Sequence, residues 1–412
     1  LDDQYLLADS IYEEGAAFSR APMDLPVQLG IATPIEDPSG QALSSFHSAL
    51  RRAETGAGQA RIVFYGASHV ASDYFTGYLR QKLQARFGEA GTGFVLPAKP
   101  WPWYRNAGIA FDPSRGWNAL WVKEKARKKD RYGLAGVALE ATERRSAFAA
   151  IRTRPNGPLS GSANRFEIYY LKQPNGGKIR LSVDQVVTRM ISTASKSVET
   201  GYESIETSNG PHRFEVRTFA DGVVRLFGVA VENDKPGVLL DTLGIPGARA
   251  TYHLFWDDAI YREHLRKRRP DLVVIAYGTN ESGDKDFPIE NYEEELRKVV
   301  ARIREVVPEA SCLLVSPSDR PERVATGGFE PRPRTAQIID VQRRVATDFS
   351  CGFFDLVACT GGAMSMVAWA AATPAYGASD HVHFTAIGYQ RIGELLLQAL
   401  LANYPEDAAP SE

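Results

Sequence analysis

Apolar residues along the chain fall into two kinds of run. Short unbroken stretches rich in β-branched and aromatic side chains occur at 61–66 (RIVFYG), 237–242 (GVLLDT), 271–278 (DLVVIAYG), 312–316 (CLLVS) and 352–357 (GFFDLV). Each ends in a turn signal and leads into a helical pattern, over roughly 70–87, 248–268, 289–306, 335–349 and 385–402. In the last of these, Ile387, Ile392, Leu395, Leu396 and Ala399 recur at helical spacing. Strands apolar on both faces, alternating with helices, predict an α/β class with a parallel sheet covered on both sides. The crossovers are expected to be right-handed.

The stretch between the first two of these strands is far too long for one crossover, and its pattern changes to period two. In 177–184 (GKIRLSVD), Ile179, Leu181 and Val183 alternate with Arg180, Ser182 and Asp184. The runs 213–219 (RFEVRTF) and 223–232 (VVRLFGVAVE) are joined by ADG, which reads as a hairpin. The run 165–173 (RFEIYYLKQ) leads into PNGG, a further turn. Antiparallel strands with tight turns predict a sandwich or barrel inserted at 110–236. The expected organisation is an N-terminal helical segment at 1–54, a first α/β part at 55–109, the insert, and a second α/β part at 237–412. PRPRT at 331–335 reads as an ordinary connection.

Composition narrows the classes. The chain has 412 residues, 44% hydrophobic and 24% charged, with a net charge of −2. That is the balance of a soluble globular protein and predicts no general nucleic-acid or anionic-membrane binder. The one dense basic run, 123–131 (KEKARKKDR), reads first as solvated surface. No stretch is long and apolar enough to predict a transmembrane helix. The chain begins with Leu1 and shows no signal-peptide pattern, so a processed or trimmed chain is expected. Its three cysteines, Cys312, Cys351 and Cys359, lack zinc-finger spacing. They read as buried thiols or, in an oxidising compartment, as one bridge between Cys351 and Cys359.

The strand ends carry the candidate chemistry, because open α/β sheets bind ligands beyond the carboxyl ends of their strands. After the first strand come Gly66, Ala67, Ser68 and His69, and after the second LGIPGAR, with Gly244 and Gly247. Gly278, Thr279, Asn280 and Glu281 follow the third. Beyond the fifth lies SDHVHFTAIGY, with Asp380, His381 and His383. These are the parts acyl transfer needs. Ser68 is the candidate nucleophile, His383 the base, and Asp380 the group that orients the imidazole. The Ser68 and Gly247 N–H groups and the Asn280 amide are candidate oxyanion donors. Taken singly, each has a plain reading: Ser68 as a helix cap, GTNE as a turn, His383 as an ordinary histidine. Asp380, His381 and His383 also have spacing for a metal, but no remote His or Cys cluster completes such a site.

In order, the Ser68, Gly247, Asn280 and His383 positions resemble the four blocks of the SGNH or GDSL hydrolases, with Asp380 in the D-x-x-H of the last block. The resemblance covers 55–105 and 237–402. It implies a flavodoxin-like three-layer α/β/α fold, a serine esterase mechanism and no cofactor or metal. Two positions depart from the pattern. Ala67 replaces the acid of G-D-S, so its support of the serine turn is lost, and Glu281 stands where G-x-N-D has aspartate. GASH is also not the G-x-S-x-G elbow of α/β-hydrolases.

Within the family, the chain is most similar to bacterial peptidoglycan O-acetylesterases. These have G-x-S-H in block one and a carbohydrate-binding-like β-sandwich inserted before block two, and the segment 91–106 (GTGFVLPAKPWPWYRN) also looks like that branch. The resemblance implies removal of acetyl from the C6 hydroxyl of N-acetylmuramic acid in the periplasm, or at least a secreted location and an acetylated-glycan partner. Trp101, Trp103 and Tyr104 read as a sugar-stacking wall or as loop packing. His69 reads as lining the site mouth or ordering the serine turn, and His381 as exposed. An O-acyltransferase with the same triad and a silent glycan-binding protein stand as alternatives. Ala67 and Glu281 are the only support for the latter.

Overall fold

The structure is a computed structural model, described over residues 29–124, 130–154, 161–325 and 327–405. The five apolar runs form one parallel sheet of β1 (Gln59–Gly66), β2 (Gly237–Gly244), β3 (Leu272–Ala276), β4 (Ser311–Val315) and β5 (Gly352–Phe354), in the order 2-1-3-4-5. That is the flavodoxin-like order, whose ligand crevice lies between β1 and β3. Alternation along each strand builds both faces. Ile62, Phe64, Leu272, Val274, Leu313 and Val315 point into one core, with α1 (Ser44–Glu54), α3 (Phe75–Phe87) and α7 (Ala386–Leu401). Val63, Tyr65, Val273, Ile275, Cys312 and Leu314 point into the other, under α4 (Asp258–Arg268), α5 (Ile289–Val306) and α6 (Pro333–Asp348).

Two predicted helices are divided. The first begins earlier, as α2 (Ser68–Ala71), and breaks before α3 where Asp73 takes a left-handed φ of 51°. The second is a 3-10 turn, Ala250–Phe255, followed by α4, which restarts because the Asp257 side chain accepts from the Ile260 N–H at 3.0 Å. PRPRT is less passive than expected, since Pro333 opens α6. Residues 1–28 of the expected N-terminal segment and 125–129 of the basic run lie outside the described residues.

The period-two strands form two antiparallel sheets. One has the order 199–210, 163–172, 224–232, 137–141, 118–121, and the other 109–111, 148–153, 213–218, 178–183, 186–192. ADG is therefore not a hairpin turn. Arg213–Thr218 pairs within the second sheet and Val224–Glu232 within the first, so the turn carries the chain across the sandwich. Period explains it: 213–218 alternates between buried and half-buried, whereas every residue of 224–232 is buried, as a central strand must be. PNGG makes the same kind of crossing, from Ala163–Lys172 to Lys178–Val183. The true hairpin joins Lys178–Val183 to Val186–Ser192 through Asp184 and Gln185, both at positive φ, as a two-residue turn requires. Gly91–Val95, upstream of residue 110, also adds to the first sheet through Val224–Glu232.

A buried ion network joins this sandwich to the parallel sheet. Arg268 of α4 donates to Asp241 of β2 at 2.7 and 2.8 Å and to Glu232 of the sandwich at 2.6 Å. Arg61 of β1 reaches the same Glu232 at 3.0 Å, and Arg165 also pairs with it. Burial alone would raise the Glu232 pKa, but Arg268 and Arg61 hold it far below the usual carboxylate range. Beside the network His264 lies fully buried against Tyr169, Tyr202 and Phe227, and among the described residues neither ring nitrogen has a hydrogen-bond partner.

The cysteines pair differently from either expectation. Cys312 on β4 is bonded to Cys351, which leads into the neighbouring β5, because adjacent strands bring their Cα atoms to 4.6 Å. Cys359 is a buried thiol whose pKa burial pushes up to about 12.

Arg268→Met is expected to cost about 3–5 kcal/mol in chemical denaturation, because it leaves Asp241 buried beside an incompletely paired Glu232. Burial lowers the pKa of both His253 and His264 from 6.5 to about 3. Both therefore stay neutral in the fold while the unfolded chain takes up protons below pH 6.5. Stability should fall as pH drops from about 6.5 toward 3, by about 2 kcal/mol per histidine down to pH 5. His264→Phe should remove its share of that slope, read from denaturation midpoints at pH 7 and pH 5.

Candidate active site

Register sets the site. Gly66 at the end of β1 lies opposite Gly244 of β2 and Ala276 of β3, so three loops leave the sheet at one level. Ser68 follows at the start of α2. This turn packs so tightly that side chains on its neighbours would collide. A Cβ on Gly66 would meet Val70 at 2.3 Å, and one on Gly244 would meet the Ala71 nitrogen at 2.1 Å. With Ala67 in place of the family's acid, these close approaches hold the serine turn. Asp73 anchors its far side, accepting from the Ala107 N–H at 2.6 Å and from Arg80 at 2.9 Å.

The structure brings Ser68, His383 and Asp380 together across the chain. Ser68 Oγ lies 2.8 Å from His383 Nε2, and His383 Nδ1 lies 2.6 Å from Asp380 Oδ2. With Nδ1 donating to the carboxylate, Nε2 is left to accept from the hydroxyl. The other Asp380 oxygen accepts from the Val382 and His383 N–H groups, each at 2.9 Å. Burial would raise the Asp380 pKa, but the His383 hydrogen bond and charge, with those two N–H groups, hold it well below the usual carboxylate range. It is therefore ionised when the imidazole must carry charge.

The oxyanion candidates come from the next two loops. Ile245, Pro246, Gly247 and Ala248 form a turn closed by Ala248 N–H to Ile245 O at 3.1 Å. Pro at the second position and Gly247 at φ 69° at the third are type II chemistry, and only glycine takes that φ without strain. The Asn280 amide donates to Ala248 O at 2.9 Å, tying the third loop to the second. Among the described residues, no protein group accepts from the N–H of Ser68 or Gly247. Glu281 serves as a brace. Its buried carboxylate accepts from Ala250 N–H at 2.8 Å and Gly278 N–H at 3.1 Å, joining the same two loops. Burial raises its pKa, and those N–H groups oppose the rise.

Other predicted residues take structural places. His69 donates or accepts at both ring nitrogens, 3.0 Å from Tyr389 Oη and 3.0 Å from Ser318 Oγ. Burial, with the His383 charge adding, lowers its pKa to about 3. It is thus a neutral bracket between α2, α7 and the loop after β4, with no ring nitrogen left for substrate. Trp101 and Tyr104 are 5% and 8% exposed and pack edge to face, so neither presents a sugar-stacking face here. Trp103 is half-buried beside Trp101 and remains as a wall candidate. His381 is half-buried rather than exposed, packed on Phe329 with ring centroids 4.2 Å apart. Sequence reasoning missed the loop after β4 altogether. SPSDR at 316–320 carries Ser318 and Arg320, and position beyond a strand's carboxyl end was the signal that marked it.

A family model for the GDSL-like lipase/acylhydrolase family matches residues 200–391. A solved peptidoglycan O-acetylesterase superposes with a TM-score of 0.74 at 25% identity, covering 89% of this chain and 98% of that one. The chain has the SGNH hydrolase fold. Other solved structures resemble it much less. An acetyl xylan esterase scores 0.30 at 19% identity over 39% of this chain and 80% of its own. A family two carbohydrate esterase from Cellvibrio japonicus scores 0.30 at 12% identity, covering 70% and 98%. No curated protein matches the chain. The matched range begins after the candidate nucleophile Ser68 and includes Gly247, Asn280, Asp380 and His383.

Ser68→Ala should abolish hydrolysis of an aryl acetate while leaving the denaturation midpoint near wild type. Asp380→Asn should lower kcat by about 10^4, through loss of imidazole orientation. Asn280→Ala should lower kcat by about 10^2–10^3 with KM changed only a few-fold, because it removes a donor used as charge develops on the oxygen. Steady-state kinetics on purified variants check all three.

Proposed function

We propose that this hydrolase removes O-acetyl groups from a carbohydrate polymer, with the C6 acetyl of N-acetylmuramic acid in peptidoglycan as its substrate. The reading is carried by the likeness, at a TM-score of 0.74 over 89% of the chain, to a peptidoglycan O-acetylesterase. The 2.8 Å Ser68–His383 and 2.6 Å His383–Asp380 contacts support the chemistry. Ser68 Oγ attacks the acetyl carbonyl as His383 takes its proton. The negative oxygen is met by the Ser68 and Gly247 N–H groups and the Asn280 amide. His383 then returns the proton to the sugar oxygen as the C–O bond breaks. Water, deprotonated by His383, releases acetate from the acetyl-serine and restores Ser68.

We assign 55–109 and 237–412 to the hydrolase domain and 110–236 to a sandwich that positions the polymer. The disulfide between Cys312 and Cys351 supports a periplasmic or secreted location, since such bonds persist in oxidising compartments. Among the described residues, no helix is long and apolar enough to cross a membrane.

Acetate release should be compared on O-acetylated peptidoglycan, acetylated xylan and a small aryl acetate. Release from peptidoglycan should exceed that from xylan by about tenfold or more in kcat/KM, the scale of one good polar contact. Equal rates on the two polymers would remove the peptidoglycan assignment, and no release from any of the three would remove the esterase.

A further inference from the structure

Three arginines converge beside the catalytic loops, and two of them are neutralised. Arg249 makes a bidentate pair with Asp284 at 2.7 and 2.6 Å. Arg332 pairs with Glu322 at 2.7 Å, and its Nε donates to Arg320 O at 3.0 Å. Arg320 is the exception. Its Nη1 donates to the Thr279 carbonyl at 2.8 Å, and among the described residues no carboxylate forms an ion pair with it. Asp284 and Asp380 act on it only through their fields. The guanidinium is half-buried, and the backbone makes room for it: a Cβ on Gly283 would meet Nη1 at 2.9 Å.

Its position is tied to the reacting groups. Thr279 immediately precedes the oxyanion candidate Asn280. Two residues before Arg320, Ser318 Oγ lies 3.0 Å from the ring of His69, the neighbour of Ser68, and 3.4 Å from Val382 O, between Asp380 and His383. An uncompensated, partly desolvated cation is costly unless something negative joins it. Burial lowers its pKa and Arg332 lowers it further, as expected of a cation lacking a close counter-charge. Guanidinium remains charged at neutral pH, and its planar fork matches a carboxylate. One unpaired positive charge in the field of ionised Asp380 suits a monoanion better than a phosphate dianion.

We propose that Arg320 is a specificity-determining residue that binds a carboxylate carried by the acetylated sugar or by a peptide attached to it, so that the substrate class is acidic acetylated glycans. The proposal rests on the esterase reading above and adds the charge of the substrate to it.

The test uses full-length protein and four derivatives of 6-O-acetyl-N-acetylmuramic acid in two pairs. In one pair the lactyl carboxylate is free or methylated, and in the other it is amide-linked to a dipeptide whose carboxyl groups are free or capped. Wild type should prefer a free carboxylate by about 10–100-fold in kcat/KM, the scale of a charge-assisted hydrogen bond. The arm that shows the preference assigns the anion to the sugar or to the peptide. Arg320→Met should bring the acid-to-ester ratio to about 1, and Arg320→Lys should retain part of it. A variant that slowed both members of a pair by the same factor would show a role confined to holding Thr279, and would overturn the proposal. So would a wild type with no preference in either pair, a result that stands even if the variants fail to fold.

Should wild type cleave an aryl acetate but none of the muramic esters, the polymer assignment fails separately. N-Acetylmuramic acid and its methyl ester, as competing inhibitors of aryl acetate turnover, then decide the arginine. Stronger inhibition by the acid supports the carboxylate site, and equal inhibition rejects it.

Discussion

The parallel hydrogen-bonded ladder between β1, β2 and β3 is the constraint on which the site depends. Because Gly66 lies opposite Gly244 and Ala276, the serine turn, the Gly247 turn and the Asn280 loop emerge side by side. A slip of one residue would turn every side chain on the strand into the opposite core, which is packed for other shapes, so the ladder is held by the same packing that stabilises the fold. The glycines let α2 settle directly onto the strand ends. No acid at position 67 is needed to prop the turn, because Val70 and Ala71 already fill the space above Gly66 and Gly244.

The loops are then fastened to one another rather than left to their own stiffness. Asn280 reaches Ala248 O, and Glu281 reaches Ala250 and Gly278. The longer glutamate that departs from the family pattern is the residue that closes this frame. Its departure is evidence for an organised site and weakens the silent-binder alternative. On the other side, neutral His69 joins Ser318 to Tyr389, so the loop after β4 is coupled to the serine helix and to α7. Preorganised donors of this kind do not have to reorganise as charge develops on the oxygen.

The sandwich is attached with the same economy. Its fully buried strand 224–232 ends in Glu232, which meets Arg61, Arg165 and Arg268. Arg268 and Glu232 are almost fully buried, so removing Arg268 would strand charge in a region without water-like screening, and the two architectures are energetically linked at this seam. Lys123, from the sandwich side, donates to Pro246 O at 3.0 Å, in the turn that presents Gly247. The antiparallel sheets therefore touch the Gly247 turn as well as β1 and α4.

The sequence by itself determined the five parallel strands, most of their helices, the period-two strands between the first two, and the placing of Ser68, Asp380 and His383 beyond strand ends. Those features are written in local signals: unbroken apolar runs, alternation, and polar residues at strand ends. It did not determine which sheet each antiparallel strand joins. ADG and PNGG have the composition of hairpin turns, and only packing of the buried strand 224–232 sends the chain across the sandwich. Nor did it determine that Cys312 pairs with Cys351, since strand adjacency and not spacing chooses partners. The aromatic run around Trp101 and His69 read as site residues, and His381 as exposed, because composition carries no record of burial. Arg320 went unnoticed for the complementary reason. An arginine in SPSDR looks like any other until the fold shows that the neighbouring Asp284 and Glu322 pair with Arg249 and Arg332 instead.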